Sequence, residues 1–94
     1  MRLKDKIAIV TGGASGFGKG IVEKFIQQGA KVVIADVNIE LAESVAKEFG
    51  SDSIAVKVDV SKKEEVDNLV KETLNNFSSI DILVQNAAIG MKPQ

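Results

Sequence analysis

An α/β fold built on a doubly wound parallel sheet is predicted by three observations. Short apolar runs alternate with stretches of helical periodicity along the chain, a glycine-rich turn joins the first run to the first helical stretch, and an aspartate ends the second run. Each apolar run is nearly continuous, as suits a strand buried on both faces. The order βαβαβαβ with short connections makes every return cross through a helix, so the strands run parallel and the crossovers are right-handed. The doubly wound arrangement then places the strands in the order 3-2-1-4, with a crevice where the direction reverses.

Each element follows from its own residues. The strands are expected at about Lys6–Val10, Lys31–Asp36, Ser53–Val58 and Asp81–Gln85. A first helix near Lys19–Gln28 stops at Gly29, which tolerates the left-handed backbone of a helix end. A second, near Ile39–Phe49, has Asn38 as its N-cap, Gly50 as its stop, and Leu41, Val45 and Phe49 turned inward. The third opens on Ser61-Lys62-Lys63-Glu64, a capping-box pattern, and turns Val66, Leu69, Val70, Leu74 and Phe77 inward. Helices one and two then cover one sheet face, and helix three lies almost alone on the other. That leaves the fourth strand, Ile82-Leu83-Val84, as an apolar edge that folds normally cover with more chain. Residues 1–94 are therefore expected to form one incomplete domain, with no second domain.

Composition excludes several classes of function. A net charge of −1, with scattered lysines and only four aromatic residues, gives no electrostatic case for nucleic acid or an anionic membrane. No apolar run approaches membrane length, and the first six residues lack the apolar stretch of a signal peptide. With no cysteine there is no disulfide, thiolate metal site or thiol nucleophile, and a cytoplasmic location is expected. Histidine and tyrosine, two common general acid–base residues, are also absent.

The chemistry of the chain concentrates in Thr11-Gly12-Gly13-Ala14-Ser15-Gly16-Phe17-Gly18. A strand, a glycine turn and a helix in that order bring unpaired N–H groups and a helix dipole beside a bare backbone, a corner suited to phosphate. Asp36, at the end of the second strand, stands where a ribose hydroxyl needs an acceptor, although a solvated turn would also place an aspartate there. Together they read as half of a Rossmann-type dinucleotide site. The glycines do not follow the spacing G-x-G-x-x-G, and a P-loop reading through Gly13, Gly18 and Lys19 fails at Gly20, which has no hydroxyl for magnesium. Lys19 sits beside the anion corner but is equally able to project into water.

Thr11-Gly12-x-x-x-Gly16-x-Gly18, Asp36, Asp59-Val60 and Gln85-Asn86-Ala87-Ala88 recur in the order seen in short-chain dehydrogenase/reductases. All of the chain resembles the N-terminal part of that family's classical branch. The resemblance implies that Gly12, Ser15, Gly16, Phe17 and Gly18 surround the cofactor pyrophosphate and adenosine ribose, and that Asp36 and Val37 border the ribose. It implies further that Asp59 meets the adenine amino group, that the backbone of Val60 lies along the ring, and that Asn86 and Ala87 border the ribose while helping to join strand four to strand one. Two duller roles stay open: Asp59 at the positive end of helix three, and Asn86 satisfying backbone groups at a strand end. NAD is expected over NADP. Adjacent hydroxyls suit a bidentate carboxylate, a 2′-phosphate meets like charge, and no Lys or Arg stands at Gly13–Ser15 or Val37–Asn38, where NADP-preferring members usually carry one.

Two departures from the family pattern limit the inference. Ala88 stands where the family usually has glycine. The family's serine and Tyr-x-x-x-Lys segment would fall beyond Gln94, so no catalytic residue and no metal ligand are assigned. Two readings of function follow. One is the cofactor-binding segment of an NAD-dependent oxidoreductase that moves hydride between NAD and an alcohol or ketone, with the substrate part outside this chain. The other is a stand-alone nucleotide-binding or assembly module without catalysis. Under either reading, the open edge is expected to self-associate or to pair with a C-terminal part.

Overall fold

The structure, a computed structural model, describes residues 3–86. Its elements in chain order are β1 (Ile7–Thr11), α1 (Gly16–Gln27), β2 (Lys31–Asp36), α2 (Ile39–Phe49), β3 (Ser53–Lys57), α3 (Lys63–Phe77) and β4 (Ile82–Gln85), with a short 3₁₀ turn at Gly50–Asp52. The four strands form one sheet, parallel as the crossover argument requires and in the order β3-β2-β1-β4 expected of the doubly wound arrangement. In register, Thr11 lies between Ala35 of β2 and Gln85 of β4, and Asp36 lies opposite Lys57. The C-terminal ends of all four strands therefore open on the same side. Among the described residues, no helix is long and apolar enough to cross a membrane.

Alternate residues of each strand feed two separate cores. Ala8, Val10, Val32 and Ile34 pack with Val22 of α1 and with Ala42 and Val45 of α2. On the opposite face, Ile9, Val33, Ala35, Val56 and Val58 pack with Leu69 of α3. This is the period of two expected of a pleated strand, with both faces apolar because helices cover both. One helix covers the second face, so its cover is thin. Leu83 of β4 is 57% exposed, and it shares an apolar groove with Ile80 and with Val66 and Val70 of α3.

The helices differ from expectation in ways that local energetics explain. α1 begins at Gly16 rather than Lys19, because Ser15 takes the N-cap position and accepts from the Gly18 amide. α2 keeps the expected bounds, with Asn38 Oδ1 accepting from the Leu41 amide at 3.1 Å. Its buried residues, however, are Ala42 and Val45, and Leu41 is 44% exposed. The small Ala42 is the residue that faces the sheet, which turns Leu41 to the rim. On α3, Leu69 and Thr73 are buried, whereas Val70 and Leu74 stay exposed on the flank beyond the narrow sheet. The capping box at Ser61–Glu64 does not form: the N-cap is Lys62, without a side-chain bond. The Asp59 carboxylate, a charged acceptor, takes both the amide and the hydroxyl of Ser61 instead.

α3 ends at Ser78, whose φ of 73° lies in the left-handed region and whose amide donates to the Leu74 carbonyl. That backbone costs a residue with a Cβ about 1–2 kcal/mol, part of which glycine gives back as extra entropy of the unfolded chain. Ser78→Gly is accordingly expected to raise stability by about 0.5–1 kcal/mol, read from the midpoint of urea unfolding.

Candidate functional site

β1 hands over to α1 through a turn folded around one carbonyl. Gly12 has a φ of 67°, and its amide prolongs the β1–β2 ladder by donating to the Ala35 carbonyl at 2.7 Å. Its own carbonyl accepts from the Ser15 amide at 3.2 Å and the Ser15 hydroxyl at 2.8 Å. Gly18 brings α1 hard against this turn: a Cβ there would run into the Gly12 carbonyl oxygen. Gly13 is also tight, since a Cβ would lie 3.0 Å from the Val10 carbonyl oxygen and 3.1 Å from Ile34 Cγ2. Gly16 is different. A Cβ at Gly16 would meet nothing within 4 Å, and the same holds one turn on at Gly20. The fold itself does not require a bare backbone at Gly16, so the glycine there leaves an opening that a side chain would fill.

The donors of the corner divide into two groups. The Ala14 amide donates to Asp36 Oδ2 at 3.1 Å and the Gly18 amide to Ser15 Oγ at 3.4 Å, so the protein itself satisfies both. The amides of Gly16 and Phe17, in the first turn of α1, donate to no described residue. Two open donors at the positive end of a helix, beside an uncovered Gly16, can receive an anion. The cation nearest in sequence, Lys19, is engaged elsewhere, pairing with Glu48 of α2 at 2.9 Å.

Asp36 faces this corner. One carboxylate oxygen accepts from Ala14 and the other from the Asn38 amide at 3.1 Å, which fixes its orientation at the end of β2. An ionised carboxylate has about four lone-pair sites, so each oxygen keeps acceptor capacity for a further donor. Across the corner, Thr11 Oγ1 donates to the Val84 carbonyl at 3.3 Å and accepts from the Asn86 amide at 3.1 Å. The Asn86 side-chain amide reaches the Gly12 carbonyl at 3.2 Å and Ser15 Oγ at 3.4 Å. Asn86 therefore satisfies loop groups and joins β4 to the glycine turn.

Asp59 lies past the end of β3. Its Oδ1 accepts from the Ser61 hydroxyl at 2.6 Å and the Ser61 amide at 3.0 Å. The hydroxyl bond first, then the amide bond, and more weakly the charge of Lys62 hold its carboxyl below the usual carboxylate range, against a small opposing cost of burial. Asp59 favours the fold in its ionised form. That contribution is present above the ordinary aspartate pKa and is lost as pH falls through the lowered one. The Asp59 amide donates to Glu65 Oε1 at 2.8 Å, a contact the capping-box reading missed because it assigned the acidic partner to Glu64. The signal was present in the sequence as a glutamate six residues after the aspartate, in the first turn of α3.

The other expected residues fall around the same opening or beyond it. Phe17 is 84% exposed on the first turn of α1, and Val37 is 60% exposed beside Asp36. Val60 packs against the core beneath α3. Ala87 and Ala88 lie outside the described residues. Thr11, Gly12, Ser15, Gly16, Gly18, Asp36 and Asn86 are thus brought together, and Asp59 lies on the same side of the sheet beyond β3. The amides of Ala14 and Asn38, which orient Asp36, carried no sequence signal, since any residue but proline supplies a backbone donor.

A family model described as short chain dehydrogenase matches residues 6–94. Sorbitol dehydrogenase from Cereibacter sphaeroides is 44% identical over 89 residues, which cover 95% of this chain and 35% of that protein. Galactitol 2-dehydrogenase from Agrobacterium fabrum is 46% identical over 89 residues, with the same shares covered. Among solved structures, 3-ketoacyl-(acyl-carrier-protein) reductase from Brucella melitensis, complexed with NADH, superposes with a TM-score of 0.91 at 49% identity, covering 98% of this chain and 38% of that one. The chain spans little more than a third of the length of these relatives. A parallel 3-2-1-4 sheet, a glycine turn with open helix amides, and a family match over nearly the whole sequence agree: the chain belongs to the short chain dehydrogenase family.

Proposed function

We propose that the chain is the cofactor-binding segment of an NAD-dependent oxidoreductase, within which the complete enzyme moves hydride between NAD and an alcohol or ketone. The observation that carries this reading is the pair of open amides at Gly16 and Phe17 beside the oriented carboxylate of Asp36. The amides and the dipole of α1 bind the diphosphate, and the empty space at Gly16 lets it approach the backbone. Asp36 accepts from the two hydroxyls of the adenosine ribose. A 2′-phosphate in that place would meet a carboxylate already held in position by Ala14 and Asn38, and no arginine or lysine of the turn would offset the repulsion. Gly12, Ser15, Gly18 and Asn86 shape the corner, Phe17 and Val37 flank the opening, and Asp59, Val60 and Ala87 border the adenosine.

When bound, NAD supplies the carbon that gives or takes hydride. The residues of this chain bind and orient it, and the acid–base step belongs to the tyrosine and lysine of the family pattern outside this chain. The reading includes an incomplete domain whose further chain covers Leu83 and the groove beside α3, and it is supported by the exposure of that edge. The 94-residue chain is expected to bind NAD weakly and to turn over no alcohol; dehydrogenase activity in a pure sample would sink the division of labour.

Calorimetric titration tests the assignments. Asp36→Ala is expected to weaken NAD by about tenfold or more and NADP far less, because charge-assisted bonds to the ribose hydroxyls contribute about 1.5–3 kcal/mol; equal losses would remove the ribose role. Gly16→Ala is expected to weaken both dinucleotides while leaving the thermal midpoint the same or slightly higher, since the added Cβ meets nothing and the unfolded chain loses entropy. Gly18→Ala is expected to lower that midpoint by several degrees, a loss of about 1–3 kcal/mol, as overpacking does. A Gly16→Ala chain with unimpaired binding would show that the opening is not a ligand site.

A further inference from the structure

We infer that β3, at the margin of the sheet opposite β4, is a dimerisation edge on which a second copy of this chain lies antiparallel, joining two four-stranded sheets into one. Half of the strand's backbone is open. The Val58 amide donates to the Asp36 carbonyl at 3.0 Å, and the ladder to β2 takes every second residue from there back along the strand. Ile54, Val56 and Val58 therefore turn their amides and carbonyls toward β2. Ala55 and Lys57 turn theirs outward, where none of the four groups meets a described residue. The doubly wound order adds further strands beyond β4, so β3 is a margin in a longer sheet as well.

A second copy answers these groups with its own. Around a two-fold axis at Val56, Ala55 of each copy stands opposite Lys57 of the other, and the two pairs exchange hydrogen bonds that use every open donor and acceptor of both strands. On the face toward α3, this register sets Val56 against Val56 and the half-buried Ile54 against Val58. These are β-branched pairs of the kind that stabilise antiparallel strands. On the other face it lays Lys57 of the second copy beside Ala55, in the groove that Ala55 and Ile54 form with Glu43 of α2. Glu43 and Lys57 are both exposed, and among the described residues neither is in a salt bridge. A lysine on a sheet margin ordinarily keeps other strands away. Here its charge meets a carboxylate, and symmetry makes the meeting occur twice. That complementarity of Glu43 with Lys57 favours a second copy over an unrelated strand.

Sedimentation equilibrium of the chain over a range of concentrations tests the edge, with far-UV circular dichroism to check the fold of each variant. The unaltered chain is expected to show a monomer–dimer equilibrium. Ala55→Pro removes an outward amide and no ladder bond, so it is expected to keep the fold and to weaken the dimer about tenfold or more, since two backbone hydrogen bonds are lost. Glu43→Lys and Lys57→Glu are each expected to weaken it about threefold or more, and the two together to restore it to within about twofold, because the pair is then reversed. Where Ala55→Pro does not fold, this charge reversal decides. A chain that stays monomeric at every concentration overturns the proposal. So does a dimer that Leu83→Lys abolishes and that Ala55→Pro and the charge variants leave unchanged, because it lies on β4. A double charge variant no tighter than either single one overturns the register.

Discussion

The carbonyl of Gly12 is the point on which the rest of the corner depends. It accepts from the amide and the hydroxyl of Ser15 and from the side chain of Asn86, and Gly18 lies so close that no Cβ fits between. One oxygen thus fixes where β1 stops, where α1 begins and how β4 meets both. The positive φ of Gly12 and the bare α-carbon of Gly18 are the two conditions of that arrangement. Once it is made, the amides of Gly16 and Phe17 in the first turn of α1 donate to no described residue.

Two carboxylates at the C-terminal side of the sheet are built by the same device. Asp36 is oriented by the amides of Ala14 and Asn38, and Asp59 by the amide and hydroxyl of Ser61. In each case a short segment just past a strand supplies the donors, backbone amides in both and, at Asp59, the Ser61 hydroxyl as well, so local turn geometry sets the position of the charged group. Such a group loses little rotational freedom when it meets a ligand, because the turn has already fixed it.

Much of this was legible in the residues. The parallel sheet followed from the alternation of buried strands and helices, since parallel strands cannot be joined without a crossover, and the strand order from the doubly wound arrangement. α2 kept its expected ends because Asn38 and Gly50 act within a few residues of themselves. Asp36 could be placed because a strand end is a local feature. Legibility failed where one group competes with another or where burial depends on distant cover. Ser61 looked like a cap in sequence, but the ionised Asp59 two residues earlier is the better acceptor. Leu41, Val70 and Leu74 lie on helical stripes, yet helical spacing alone does not say how wide a sheet stands beneath them. The partners of Asp36 are backbone amides, which leave no mark on side-chain identity.

The bonds of Asn86 give β4 an influence beyond its own packing. This strand has the least buried side chains of the sheet, alternating half-buried and exposed, and yet its last contacts clamp the turn that opens α1. Whatever occupies the corner with the turn clamped also favours the strand lying in its place, and whatever loosens the strand lowers affinity at the corner by an equal free energy. The margin of the sheet and the mouth of the cleft are therefore thermodynamically linked, and protection of the Val84 and Gln85 amides from solvent exchange would serve as a gauge of whether the corner is occupied.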